Sequence, residues 1–329
     1  MKLAFFDTKP YDRPGFDRYA EAAGIRIKYF ASNLNADTVS LAAGYDAVCV
    51  FVNDVVSAQV VEKLHELGVK AILLRCAGFN NVDIQACRGK LRVFRVPAYS
   101  PHAVAEHAMA LLLTVNRHIH KAHNRTREFN FSLQGLTGFD LYGKTVGIIG
   151  TGKIGRVFAD ICRGFGMKVL AYDLFPDPDT GLEYVPLEAL LERADILSLH
   201  CPLTEQTSHL IRAETIGRMK EGVVIVNTSR GGLVNTEDLI QGLKSGKVGA
   251  ACLDVYEEEG DIFYEDLSGH ILQDDKLVRL IAMPNVIVTS HQAFLTEEAL
   301  DNIAQTTVNN LVSLRFGAPD PATEVVYRK

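Results

Sequence analysis

The 329-residue sequence lacks any apolar run long enough to cross a bilayer: stretches such as 109–115 fall far short of the ~20 residues a span requires. It also lacks a basic run. Lys and Arg number 34 against 40 Asp and Glu, a formal net charge of −6, which argues against nucleic acid or an anionic membrane as a partner. Cysteine pairs at metal-binding spacing are missing too. Positions 49, 76, 87, 162, 201 and 252 are far apart and form no C-x-x-C motif, so neither structural zinc nor a disulfide framework is expected. Free cysteines near apolar runs are expected as small core residues, with Cys76 the one to watch. The opening Met-Lys-Leu-Ala-Phe-Phe-Asp reaches an acid at once and has no signal-peptide core, so a cytoplasmic protein is expected. Low-complexity composition is absent as well: 47% hydrophobic and 22% charged residues describe a globular chain. At roughly 150 residues per domain, the length predicts two domains.

What is present is βα alternation. Residues 2–6, 26–30, 47–51, 71–74 and 92–96 read as short strands, and 57–68 carries apolar residues at helical spacing before a glycine. Strands separated by helices, without hairpin signals, imply crossovers and a parallel sheet. A long helix starts with Ser100 as cap and Pro101 at its first position and leads into a second domain. Residues 125–143 read as a connecting loop. Six further strands follow at 145–149, 168–172, 196–200, 223–227, 248–253 and 285–289, with helices at 153–165, 186–193, 213–220 and 236–244. This pattern suits a doubly wound nucleotide fold. The last helix, 296–314, has one apolar face and no strand after it, and is expected to pack back on the first domain.

The strongest motif is Gly150-Thr151-Gly152-Lys153-Ile154-Gly155, directly after the apolar strand and opening a helix. Gly150 makes the turn, Gly152 lets a pyrophosphate approach the backbone, and Gly155 lets helix and strand pack closely. The phosphates then meet free N–H groups and the positive end of the helix dipole. Asp173 ends the next strand at the spacing expected for a carboxylate that accepts from ribose hydroxyls. It would repel a 2′-phosphate, so NAD is expected rather than NADP.

Three later segments each follow a predicted strand, at the sheet edge where ligands bind. Asn227-Thr228-Ser229-Arg230-Gly231-Gly232 offers Arg230 as a bidentate clamp for a carboxylate. Asp254 leads into the acidic run 257–259, and Ser290-His291-Gln292 supplies an imidazole. Each alone has an ordinary surface reading. Behind a dinucleotide motif they fit one chemistry, hydride exchange at a hydroxyl-bearing carbon, which needs an acid/base, a cation for the carboxylate, and a carboxylate to orient the histidine. His102, Glu106 and His107 lack a third and fourth ligand, so no metal is expected. The cationic cluster of His118, His120 and His123 with Arg117, Lys121, Arg125 and Arg127 is expected at a solvated or subunit-facing helix end, with contact to the cofactor's phosphates the open alternative.

The motifs Arg75-Cys76-Ala77-Gly78-Phe79, Val96-Pro97-Ala98-Tyr99, His200-Cys201-Pro202-Leu203-Thr204, Asn227-Thr228-Ser229-Arg230-Gly231 and His291-Gln292-Ala293-Phe294 together make the chain resemble the D-isomer-specific 2-hydroxyacid dehydrogenases. The last motif resembles the lactate-like branch, which includes bacterial fermentative D-lactate dehydrogenases. The resemblance implies a Rossmann-type NAD domain (100–294) inserted into a flavodoxin-like substrate domain (1–99 and 295–329), with a cleft that closes over NAD. It also implies NAD-dependent interconversion of pyruvate and D-lactate. Arg230, Glu259 and His291 would be catalytic. Asp254 would lie beside the nicotinamide end, while Lys153, Ile154, Asp173, Cys201, Pro202, Thr207, Thr228 and Ser229 would line the dinucleotide. Phe51, Tyr99 and Phe294 would surround the substrate methyl, and the N–H groups of Ala77 and Gly78 would donate to its carboxylate along with Arg230. A homo-oligomer, dimer or tetramer, is expected. Two alternatives stay open: a relative acting on glyoxylate, hydroxypyruvate or 2-hydroxyisocaproate, and an NAD-sensing protein resembling the corepressors of this superfamily.

Overall fold

Short strands with both faces apolar must be covered by helices on both sides, and both sheets of the protein are built that way. The computed structural model describes residues 1–260, 262–317 and 320–325. The chain divides into two units, one of Met1–Ser100 with Phe294–Lys329, the other of Pro101–Ala293. Residues 326–329 of the expected first domain lie outside the described residues.

In the first unit the order is β1 (Lys2–Phe5), α1 (Arg13–Ala22), β2 (Arg26–Tyr29), β3 (Ala47–Val50), α2 (Ala58–Glu66), β4 (Ala71–Leu74), α3 (Ile84–Cys87) and β5 (Arg92–Phe94). All pairings are parallel, in the spatial order β2-β1-β3-β4-β5. The order reverses between β1 and β3, the flavodoxin-type arrangement that opens a crevice at the strands' C-terminal ends. Every residue of β3 and β4 is buried. Ser57 caps α2, its side chain accepting from the Val60 N–H. Helix α1 was not expected: only Phe16 and Ala20 are buried, too few for a clear helical period.

The second unit runs α4 (Pro101–Arg117), α5 (Ile119–Arg127), β6 (Thr145–Ile149), α6 (Lys153–Gly164), β7 (Lys168–Tyr172), β8 (Glu183–Tyr184), α7 (Leu187–Arg193), β9 (Ile196–Leu199), α8 (Ala213–Arg218), β10 (Val223–Asn227), α9 (Thr236–Ser245), β11 (Val248–Leu253), α10 (Asp275–Ala282) and β12 (Val286–Val288). Its parallel sheet has the order β8-β7-β6-β9-β10-β11-β12, the Rossmann order with one added strand. The sequence reading of six strands is corrected to seven, because two-residue β8 is too short to show a period. The expected loop 125–143 begins three residues later, since α5 runs to Arg127. Alternate residues along the strands feed two separate apolar clusters. Val146, Ile148, Val224 and Val226 join Phe158 and Leu112, while Ile149, Ile225 and Leu253 join Leu190, Leu239 and Leu277. Period-two alternation thus fills a layer on each face.

The chain returns to the first unit with α11 (Glu297–Phe316), which packs on α1. Both sheets are α/β and doubly wound. Among the described residues no helix is long and apolar enough to cross a membrane. All six cysteines are buried and free.

Candidate active site

In the second unit the sheet order reverses between β6 and β9, where Gly150 lies. It has φ of 95°, and a Cβ there would lie 2.6 Å from the Cys201 nitrogen, so no other residue suits this approach. A Cβ on Gly155 would meet the Gly150 carbonyl oxygen at 2.0 Å. Gly152 caps α6 with open space around it, and no side chain accepts from the first N–H groups of the helix. Lys153 and Ile154 form its first turn. The helix end is left as a bare, positively polarised set of donors.

Asp173 follows β7. Its Oδ2 accepts from the Thr151 N–H (2.6 Å) and hydroxyl (2.9 Å), and its Oδ1 from the Phe175 N–H (2.9 Å). Burial alone would raise its pKa, but these hydrogen bonds hold it below the ordinary carboxylate value. Thr151, which also accepts from the Tyr184 hydroxyl at 3.0 Å, was not singled out in the sequence. Cys201 is buried. Thr207 donates to the Pro202 carbonyl at 2.7 Å, and Ser229 donates to that of Cys201 at 2.7 Å, so these residues shape one loop. The Thr228 hydroxyl is buried and without a partner. The open helix end, the ionised Asp173 and this spare hydroxyl fit a dinucleotide.

Past β10, the Asn227 side chain donates to the Arg230 carbonyl (2.8 Å) and accepts from the Ser229 N–H (3.1 Å), closing a turn. A Cβ on Gly231 would collide with the Tyr256 carbonyl oxygen at 1.9 Å, so glycine is required to bring this turn against the segment after β11. The Arg230 guanidinium donates to the Ser229 carbonyl at 2.7 Å. Among the described residues no carboxylate pairs with it.

The acidic run resolves into three different fates. Glu257 accepts from the Thr236 N–H (3.1 Å) and contacts His209 Nε2 at 2.5 Å, while Glu258 lies 3.4 Å from Lys276. Only Glu259 reaches His291, with Oε1 2.8 Å from Nδ1, and its Oε2 accepts from the Tyr256 N–H at 3.0 Å. A carboxylate can only accept, so Nδ1 carries the hydrogen and Nε2 is left for chemistry.

Asp254, expected beside the cofactor, is fully buried and satisfied by the protein itself. Oδ1 accepts from the Thr289 hydroxyl (2.5 Å) and the Gln292 N–H (2.9 Å), with His107 Nε2 at 3.3 Å; Oδ2 accepts from the Ala293 N–H (2.8 Å). The His291 N–H donates to the Asp254 carbonyl at 2.6 Å. This residue therefore anchors the segment that carries His291. His107, grouped in the sequence with a metal reading, serves this anchor. Among the described residues no group of three His, Cys, Asp or Glu could hold a metal.

In the first unit, β4 leads through buried Arg75 to Cys76, Ala77 and Gly78. The loop is held by Arg95 donating to the Ala77 carbonyl (3.1 Å) and the Cys76 thiol donating to that of Gly78 (3.3 Å). Among the described residues the Ala77 and Gly78 N–H groups donate to no protein acceptor. Phe51, Tyr99 and Tyr11 surround Phe294, with ring centroids 6.1, 6.2 and 6.5 Å away. Tyr11 was missed in the sequence because it sits in an irregular segment. Burial, chiefly, raises its pKa to about 12, so it stays neutral.

The model of the D-isomer specific 2-hydroxyacid dehydrogenase NAD-binding domain matches residues 109–293. The chain is 50% identical to D-lactate dehydrogenase of Escherichia coli over 98% of this chain and 99% of that protein. It is 55% identical to 2-hydroxyacid dehydrogenase A of Aspergillus oryzae over 94% and 91%. Among solved structures, the pyruvate reductase of Chlamydomonas reinhardtii superposes with a TM-score of 0.92 (43% identity, 97% of each chain). The apo D-lactate dehydrogenase of E. coli superposes with a TM-score of 0.90 (48% identity, 99% and 100%). With a cradle that fits NAD and relatives this close over its whole length, the chain belongs to the D-isomer specific 2-hydroxyacid dehydrogenases and carries their NAD-binding domain.

Proposed function

We propose that this protein is an NAD-dependent D-lactate dehydrogenase, reversibly reducing pyruvate. The observation that carries the reading is the Glu259–His291 pair, which leaves Nε2 for chemistry at the same sheet edge as Arg230, with which no carboxylate among the described residues pairs. The named functions of the relatives support it. Bound NADH supplies the hydride for the carbonyl carbon. His291 Nε2 gives the proton to the carbonyl oxygen and takes it back in the oxidative direction. Glu259 fixes the ring and its tautomer, and Arg230 grips the substrate carboxylate through two parallel N–H bonds. Asp173 would hold the ribose hydroxyls and the α6 N-terminus the phosphates, with Thr228 and Ser229 lining the dinucleotide. In this reading the Ala77 and Gly78 N–H groups would be further donors for the carboxylate, and bulky Phe51, Tyr99 and Phe294 would favour a methyl over a branched chain.

The test is loss of NADH absorbance with pyruvate, followed by chiral analysis, beside glyoxylate, hydroxypyruvate and 2-oxoisocaproate. D-Lactate from pyruvate at the highest kcat/KM is expected. Preference for another 2-oxo acid would move the assignment within the family, and no turnover with any of them would remove it.

We also infer self-association. Phe129, Phe131, Leu133 and Tyr142 are 84, 71, 81 and 80% exposed within one segment, more apolar surface than an isolated chain tolerates well. A second copy is the occupant, and sedimentation should give a dimer or tetramer. Free buried thiols suit a reducing compartment, which supports the cytoplasm as the place of work.

A further inference from the structure

Glu259 holds one edge of the His291 imidazole, and the chain directly after it returns to hold more. The Ile262 and Phe263 N–H groups donate to the Glu259 carbonyl at 3.3 and 3.0 Å, closing a turn. Phe263 is anchored in the apolar core of the second unit. That anchoring delivers Tyr264 to His291. The Tyr264 hydroxyl donates to the His291 carbonyl at 3.1 Å, and the two rings lie 6.2 Å apart at 31°.

Both residues occupy left-handed backbone, His291 with φ of 52° and Tyr264 with φ of 72°. Histidine adopts this region more readily than most residues, but a bulky tyrosine there is an outlier that persists only where its surroundings impose it. The Tyr264 hydroxyl ties the two left-handed residues together. The His291 backbone is fastened at both ends, by its N–H to Asp254 and by its carbonyl to Tyr264. Its side chain is fastened at Nδ1 by Glu259 and bordered by the Tyr264 ring. Without the tyrosine, rotation at the carbonyl end is unopposed and the direction of Nε2 is less defined.

We propose that Tyr264 is a positioning residue for His291, aiming Nε2 through the hydroxyl bond to the His291 carbonyl and through ring packing. The proposal rests on the acid/base role of His291 given above. Tyr264→Phe keeps the ring and loses the hydroxyl; Tyr264→Leu loses both. Proton transfer depends steeply on alignment, so kcat for pyruvate should fall ~3–10-fold in the first and ~10²-fold in the second. KM for pyruvate and Kd for NADH should stay within about twofold, since Tyr264 is not among the residues assigned to the substrate carboxylate or the dinucleotide. Imidazole nitrogen NMR provides a second readout that needs no turnover. Wild-type His291 should show one ordered ring with hydrogen on Nδ1, and Tyr264→Phe a broadened, exchanging one. Wild-type kcat together with an unchanged ring signal in Tyr264→Phe overturns the proposal. So does a fall in kcat matched by equal losses of NADH affinity and Tm, which marks a structural role. If Tyr264→Leu does not fold, the Phe variant decides alone. If the wild type reduces no 2-oxo acid, the functional reading fails, while the ring signal still tests the contact.

Discussion

Asp254→Asn is the substitution whose cost can be counted from the structure. The carboxylate is 0% exposed and serves the Thr289 hydroxyl, the Gln292 and Ala293 N–H groups and His107. An asparagine of the same shape keeps one acceptor oxygen. Placed toward Thr289 and Gln292, it turns its NH₂ toward the Ala293 N–H, donor against donor, in a buried site. An orphaned buried donor costs about 1–3 kcal/mol, and the short bonds from the Thr289 hydroxyl and the Gln292 N–H lose their charge assistance, about 1 kcal/mol each. The total of about 3–5 kcal/mol lowers the Tm of a unit this size by about 10 °C. Because Gln292 and Ala293 follow His291, kcat should fall at least ~10-fold while NADH binding is largely kept.

The pH dependence adds a signature. Burial by itself would raise the Asp254 pKa, but the hydrogen bonds from His107, Thr289, Ala293 and Gln292 outweigh it and hold it below the ordinary value. The folded state therefore takes up this proton less readily than the unfolded chain. Its stabilisation is complete above about pH 4 and is lost as pH falls through the folded-state value. The gap in Tm between wild type and variant should thus narrow on acidification below about pH 4. Calorimetry over a pH series reads both effects. A variant melting within about 2 °C of wild type at neutral pH, or a gap that widens in acid, would refute the reasoning.

Arg230→Lys keeps the charge but not the planar fork, so KM for pyruvate should rise ~10-fold or more; an unchanged KM in steady-state kinetics would remove the clamp. Asp173→Asn should weaken NADH and improve NADPH relative to it, measured as the ratio of kcat/KM values, since the variant no longer repels a 2′-phosphate. An unchanged ratio would place the ribose elsewhere. Burial pushes the His200 pKa down to about 4, with Nε2 2.9 Å from the Ser198 hydroxyl. The unfolded chain binds this proton below about pH 6.5 and the folded one resists it. Stability present above about pH 6.5 is therefore lost as pH falls toward about pH 4 and below, by about 3 kcal/mol. His200→Gln should flatten that decline in urea midpoints, and an equal slope would show that His200 does not contribute.

The order of strands and helices was open to reading along the chain because it depends on local patterns: both-face apolar runs for β3, β4 and β10, a 3.6-residue period for α6 and α11, and a Gly-rich turn after β6. The elements that escaped show little pattern. Helix α1 buries two residues, β8 has two residues, and α5 buries none. The candidate site divides in the same way. Gly150, Gly155 and Asp173 can be named from the chain because a tight turn before a helix is a local backbone requirement, met by the same residue types wherever it occurs.

The family resemblance named Glu259 as the catalytic carboxylate, but local patterning alone does not choose among three adjacent glutamates. Neighbouring residues differ only in direction, and that direction follows from the turn after β11, pressed against Gly231 and stapled by the Tyr256 N–H. The burial of Asp254, the reach of His107 across to it, the left-handed backbone of His291 and the hydroxyl of Tyr264 behind that residue belong to the same class. They join residues remote in sequence, so only the packed sheet edge could decide them. The sequence by itself determined the cofactor, the family and the residue types that the chemistry needs. The tertiary structure decided which side chains besides Glu259 hold the histidine in place, because that choice depends on distances and angles that no spacing along the chain encodes.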